Sequence, residues 1–147
     1  MDPRDELYWL AYTVLQESSG EPWAGQLAVA WVIVNRAKRT SASISDTVLA
    51  PLQFSCWNTA SPTRARIDID GASTIWHNVY SAACAAYFGL RDDPTTGATQ
   101  YLNVEETKRI RKNGTLPAWA ADAQDATKVN AAAVTAVIGR HTFMRAA

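Results

Sequence analysis

The chain has 147 residues and 16.0 kDa, enough to bury a core unaided, and its 48% apolar and 19% charged residues exclude both disordered and fibrous classes. Lys+Arg 14 against Asp+Glu 14 leave no formal charge, which removes the broad field that a binder of nucleic acid or of anionic membranes carries. The unusual feature is the aromatic content, Trp 6, Tyr 5 and Phe 3, rings that suit either a core or stacking on sugars.

The start, MDPRDELYWL, shows no basic stretch leading into an apolar run and no cleavage site, so a protein made in the cytoplasm without a signal peptide is expected. Leu7, Leu10, Ala11, Val14 and Leu15 lie on one face of a helix predicted over Asp5 to Gln16 and ending near Ser18. In SSGEPW, Gly20 suits a helix end and Pro22 suits the first position of the next helix. That second helix, Trp23 to Arg39, is apolar almost all round and is expected to be central. Its richest stretch, Leu27 to Val34, is too short to span a membrane. Ser45 with Asp46 can cap a short helix running to Leu49, and Gln53 to Asp70 reads as irregular. Thr74 to Leu90 is again helical and ends at Gly89, and Arg91 to Gly97 is a turn cluster. Ala98 to Val104 reads as a strand with Thr99, Tyr101 and Asn103 on one side; Glu105 to Gly114 is charged surface; Ala133 to Met144 carries a further strand. The expectation is one domain of α+β class, mainly α, with a small β-element.

Glu17 is the carboxylate with the most chemical promise. It lies in the last turn of an apolar helix near Trp9, Tyr12 and Trp23, where loss of solvation favours the protonated form that a general acid needs, and a helix C-terminus disfavours an anion. The competing reading is a solvated or ion-paired helix-end residue. Glu21, before Pro22, has a structural use as a charge complementing the helix dipole, and Asp92 and Asp93 read as turn makers. A zinc site has only His77 and His141 to draw on, with no local ligand pairing, and no metal or cofactor is expected. Cys56 and Cys84 lack paired spacing and read as ordinary thiols, a bridge between them staying open as an alternative. The run Lys108, Arg109, Arg111, Lys112 reads as a solvated face beside Glu105 and Glu106.

Four segments in order carry a family resemblance. They are Glu17-Ser-Ser-Gly-Glu21-Pro22 with Gly25-Gln26 and Asn35-Arg36; Asp46-Thr47-Val48 leading to Gln53-Phe54-Ser55-Cys56-Trp57; Asp93-Pro94 through Gly97-Ala98-Thr99-Gln100-Tyr101-Leu102-Asn103; and Ile138-Gly139-Arg140-His141-Thr142-Phe143. Together they resemble the cell-wall hydrolases of the spore cortex-lytic type, SleB and CwlJ, a family that also includes phage lysins. The resemblance implies a lysozyme-like domain, of the goose-type lysozyme and lytic transglycosylase kind, that cleaves peptidoglycan strands with Glu17 as catalytic acid. It also implies a sugar groove to which Gln53, Phe54, Trp57, Thr99, Tyr101, Asn103, Trp119 and His141 are assigned as substrate-binding residues, while Trp31 and Trp9 are assigned to the core. On this reading one carboxylate serves as acid and then as base in a lytic transglycosylase reaction, since no second carboxylate among Asp46, Asp68, Asp70, Asp92 and Asp93 stands in a convincing context. The expected partner is the glycan strand, with no nucleic acid and no stable membrane insertion. The protein would be a monomeric phage endolysin reaching the wall after a holin opens the membrane. The alternatives are a hydrolytic muramidase, a zinc amidase and a non-catalytic glycan-binding module.

Overall fold

The structure is a computed structural model, and residues 3–50 and 74–145 are described. Helix α1 (Pro3–Ser18) buries Leu7, Leu10, Ala11, Val14 and Leu15, the stripe its sequence spacing predicts. Helix α2 (Trp23–Thr40) is buried at ten positions between Gly25 and Ala37, as befits an element with neighbours on most sides. It lies against α1 and against α4 (Thr74–Tyr87), whose Ala82, Ala83, Ala85 and Ala86 are buried. Short side chains along that seam let the two helix backbones approach. Trp9 and Trp31 are partly buried and pack on this core, while Trp76 is buried in it.

The helix ends show how local chemistry sets the boundaries. At the end of α4, Gly89 takes φ 64°, and the N–H groups of Gly89 and Leu90 return to the carbonyls of Ala86 and Ala85. The corner after α1 closes differently, since Gly20 is not left-handed there. The Glu21 N–H donates to the Ser18 carbonyl, and the Gln26 side-chain amide donates to the carbonyls of Ser18 and Glu21, at 3.5 and 3.2 Å. The short helix α3 (Ile44–Leu49) is capped by Ser43, whose hydroxyl accepts from the Asp46 N–H, and not by Ser45 or Asp46 as its sequence suggests. A second orphan donor there, the Ile44 N–H, bonds the buried carboxylate of Glu6 on α1 at 2.5 Å.

The β-element is a three-stranded antiparallel sheet in the order β1-β3-β2, with β1 Gln100–Leu102, β2 Val134–Ile138 and β3 His141–Met144. The tail expected to form one strand is therefore a hairpin, turned by Gly139 and Arg140, with Gly139 at φ 59° supplying the positive φ that a two-residue turn requires. Its two faces go to different places by the two-residue period. Phe143 joins the helical core with Tyr101 packed beside it, while Leu102 and Met144 form a smaller cluster with Leu116 and Ala120. The charged stretch after β1 contains a helix, α5 (Val104–Ile110), capped by the Asn103 side chain accepting from the Glu106 N–H.

The turn leading into β1 is organised by Asp93. Its carboxylate accepts from the Thr95 N–H and hydroxyl, the Gly97 N–H and the Asn35 amide of α2, at 2.7–2.9 Å. Burial pushes this carboxyl up, but the four hydrogen bonds outweigh it and hold it below the usual Asp range. Asp93→Ala should cost about 1.5–3 kcal/mol of stability near neutral pH, the range for hydrogen bonds to a charged group. Because the folded carboxyl is the stronger acid, this contribution is present in full above the unfolded value of about 4 and fades as pH falls through the folded one. Urea unfolding of both proteins at pH 7 and at pH 3 measures it: the gap between them should narrow at pH 3.

Candidate active site

Glu17 occupies the last turn of α1, half-buried, where the corner held by Gln26 turns the chain into α2. The hydroxyl of Tyr101, from the middle of β1, donates to Glu17 Oε2 at 3.0 Å across 84 residues of sequence. Arg36, one face of α2 away, donates from Nε to the Thr99 carbonyl and interacts electrostatically with both Tyr101 and Glu17. Burial lowers the guanidinium from its ordinary pKa while Tyr101 and Glu17 act to raise it, and a guanidinium stays charged at any physiological pH. The surroundings of Glu17 thus include a hydroxyl donor and a cation, where the sequence suggested apolar rings alone. Those two groups give the carboxylate a defined orientation and a polar partner at the mouth of the helix corner.

Tyr101 is itself wedged in place. Its ring lies 5.0 Å from that of His141 and 5.8 Å from that of Phe143, both on β3. Behind His141 stands Glu21, its side chain 5% exposed, with Arg140 Nε 3.3 Å and His141 Nδ1 3.6 Å from Oε1. Burial lowers the His141 pKa, with Glu21 attracting the proton and Arg140 repelling it, so the imidazole is neutral at pH 7 and Arg140 is the countercharge. The other Glu21 oxygen lies against Gly139, where an added Cβ would come within 2.8 Å of it. Glu21 therefore ties the helix corner to the tip of the hairpin, a use different from complementing the dipole of α2. Nothing local in the sequence pairs Glu21 with residues 139–141; the only signal was that both segments belong to the family blocks.

The other expected groove residues are distributed unevenly. Thr99 is buried, its N–H bonded to the Met144 carbonyl, and it borders a cavity of about 470 Å³ shared with Arg36, Arg39, Asp46, Thr47 and Gln100. Asn103 falls beyond β1 and its side-chain oxygen is committed to α5, so it does not continue the Thr99 and Tyr101 side of a strand. Trp119 is 45% exposed in the turn after Pro117, and among the described contacts none joins it to Glu17 or Tyr101. Gln53, Phe54 and Trp57, with Cys56, Asp68 and Asp70, lie outside the described residues. Cys84 carries a free thiol whose pKa burial raises, which disfavours the reactive thiolate. No group of three His, Cys, Asp or Glu side chains able to hold a metal forms among the described residues. Arg36 and Gln26 were missed as site residues because a buried-helix pattern does not say which polar side chain faces a corner.

The chain matches the family described as Cell Wall Hydrolase over residues 20–144, a stretch that begins just after Glu17. Among solved structures it is similar to the catalytic domain of the Bacillus cereus SleB protein, at 24% identity and a TM-score of 0.61, over 97% of this chain and 91% of that one. It is also similar to the catalytic domain of a germination-specific lytic transglycosylase, SleB from Bacillus anthracis, at 26% identity and a TM-score of 0.59, over 95% and 93% of the two chains. Among curated proteins nothing matches.

The clamp between corner and hairpin predicts that Gly139→Ala is costly. A left-handed alanine and displacement of the Glu21 carboxylate together should remove about 2 kcal/mol of stability. Thermal unfolding checks this, with a drop in Tm of several degrees expected for a chain of this size.

Proposed function

The chain belongs to the cell wall hydrolase family and is a peptidoglycan-degrading enzyme, and from that premise we propose that it is a lytic transglycosylase using Glu17 as its one catalytic carboxyl group. The observation that carries the reading is the Tyr101 hydroxyl on Glu17 Oε2, a carboxyl group oriented at a helix corner beside the β-element. Protonated Glu17 gives its proton to the glycosidic oxygen between N-acetylmuramic acid and N-acetylglucosamine, and the C1–O bond breaks to leave oxocarbenium charge on muramic acid. The resulting carboxylate takes the proton of the same sugar's C6 hydroxyl, and O6 closes on C1 as a 1,6-anhydro ring. The glucosamine leaves with a free 4-hydroxyl and Glu17 is again protonated, so no water enters. Tyr101 holds the carboxyl in position through both transfers, and Arg36 balances the charge that Glu17 carries between them.

A hydrolytic muramidase is the second reading, with Asp46, which borders the same cavity as Arg36, as the candidate for directing a water. Asp93, in contrast, is committed to its turn. The family resemblance further supports an endolysin role, in which a monomeric single-domain enzyme reaches the wall once a holin has opened the membrane. Cells producing it should stay intact until their membrane is permeabilised and then lyse; lysis without permeabilisation excludes this role.

Glu17→Gln should lower the digestion of purified sacculi at least 1,000-fold, about 4 kcal/mol of transition-state stabilisation, and mass spectrometry of wild-type products should show anhydromuramic ends. Reducing ends, lost on Asp46→Asn, would establish the hydrolytic route instead. Tyr101→Phe keeps the ring and removes one hydroxyl, and should reduce kcat by roughly 10-fold to 100-fold with little change in KM. Steady-state turbidity assays separate the two constants.

A further inference from the structure

The chain as a whole is neutral, yet its cations are not evenly spread around the site. Lys38 and Arg39 stand three and four residues after Asn35, on one face of α2, and the end of β3 brings Arg145 to the same place. These four residues, with Gly97 and Thr99, line a cavity of about 440 Å³, and among the described residues no carboxylate lines it. Arg145 is set there by its Nη2 donating to the Thr96 carbonyl at 2.6 Å. The neighbouring carboxylate, Asp93, is already engaged by Asn35, Thr95 and Gly97. Arg39 and Thr99 line both this cavity and the neighbouring one bordered by Arg36 and Asp46, and Arg36 interacts electrostatically with Glu17.

A glycan backbone of N-acetylated sugars offers no charge to such a trough. Muramic acid does carry a lactyl group amide-linked to a peptide stem, and the stem bears free carboxylates, the ligand that a fork of guanidinium groups recognises. We propose that the trough of Lys38, Arg39 and Arg145 is a subsite for carboxylates of the peptide stem, so that the enzyme prefers peptide-bearing strands to bare glycan. This rests on the assignment of Glu17 to glycan cleavage, since the stem must leave the sugar at that point and run past Arg36.

Binding, measured with Glu17→Gln by calorimetry, tests the subsite separately from the reaction. The probes are soluble un-crosslinked glycan strands with tetrapeptide stems and the same strands after an amidase has removed the stems. The expected result is tighter binding of peptide-bearing strands, by roughly tenfold and falling with added salt, and a collapse of that preference when Arg39→Ala and Arg145→Ala are combined in the same background. Circular dichroism and thermal unfolding confirm that the combined variant is folded, and the single variants replace it if it is not. Equal affinity for the two strands, or a preference that survives the substitutions, overturns the subsite. So does a preference that follows wall phosphate polymers, read by comparing sacculi before and after hydrofluoric acid treatment. If peptide-bearing strands bind as expected while wild-type protein cleaves neither strand, the assignment of Glu17 fails and the subsite stands.

Discussion

A carboxylate taken out of water has to be met by charge and polar contact, and Glu21 is such a group. Its countercharge comes from Arg140, 119 residues later in the sequence, on the tip of a hairpin that folds back onto the α1–α2 corner. The close fit of Gly139 against the second oxygen makes the approach one of definite distance and direction. Once the hairpin tip is fixed there, the pairing of β3 with β1 leaves Tyr101 little choice of position. It stands opposite Phe143 and beside His141, with its hydroxyl at Glu17.

This arrangement separates two tasks that a single acidic residue would perform badly. Glu21 is buried and matched, and gives the site its shape. Glu17, four residues earlier, is half-buried and faces a hydroxyl and the field of Arg36. The same corner, stapled by the Gln26 amide, sets both carboxylates at once. In the role proposed for Glu17, a group that gives up and regains a proton benefits from partners that hold its orientation in either state, and a neutral hydroxyl does so without fixing the charge.

Electrostatics at larger range has the same local character. The balance of charges leaves no overall field, so recognition must depend on where individual cations are set. Helix α2 does this near its C-terminus, where Arg36 turns toward Thr99, Tyr101 and Glu17 while Lys38 and Arg39 lie with Asn35 on another side of the helix, facing Arg145.

Helix periods, capping residues and turn chemistry act over a few residues, and that is why α1, α2, α4, the break between α1 and α2 and the turn at Asp93 could be read from the chain directly. The same locality explains the misplacements. Asn103 continued a strand pattern by alternation, but an Asn followed three residues later by a free N–H at a helix start is drawn to the cap. The tail read as one strand because its apolar residues are continuous, while the positive φ of Gly139 folds it back. What the tertiary structure alone decided is the set of long-range matches: Tyr101 with Glu17, Arg140 with Glu21, and the Tyr101 ring with Phe143. Charge complementarity and ring packing between distant residues leave no periodic trace in a sequence, because each is satisfied only after the core of α1, α2 and α4 has placed the segments that carry them.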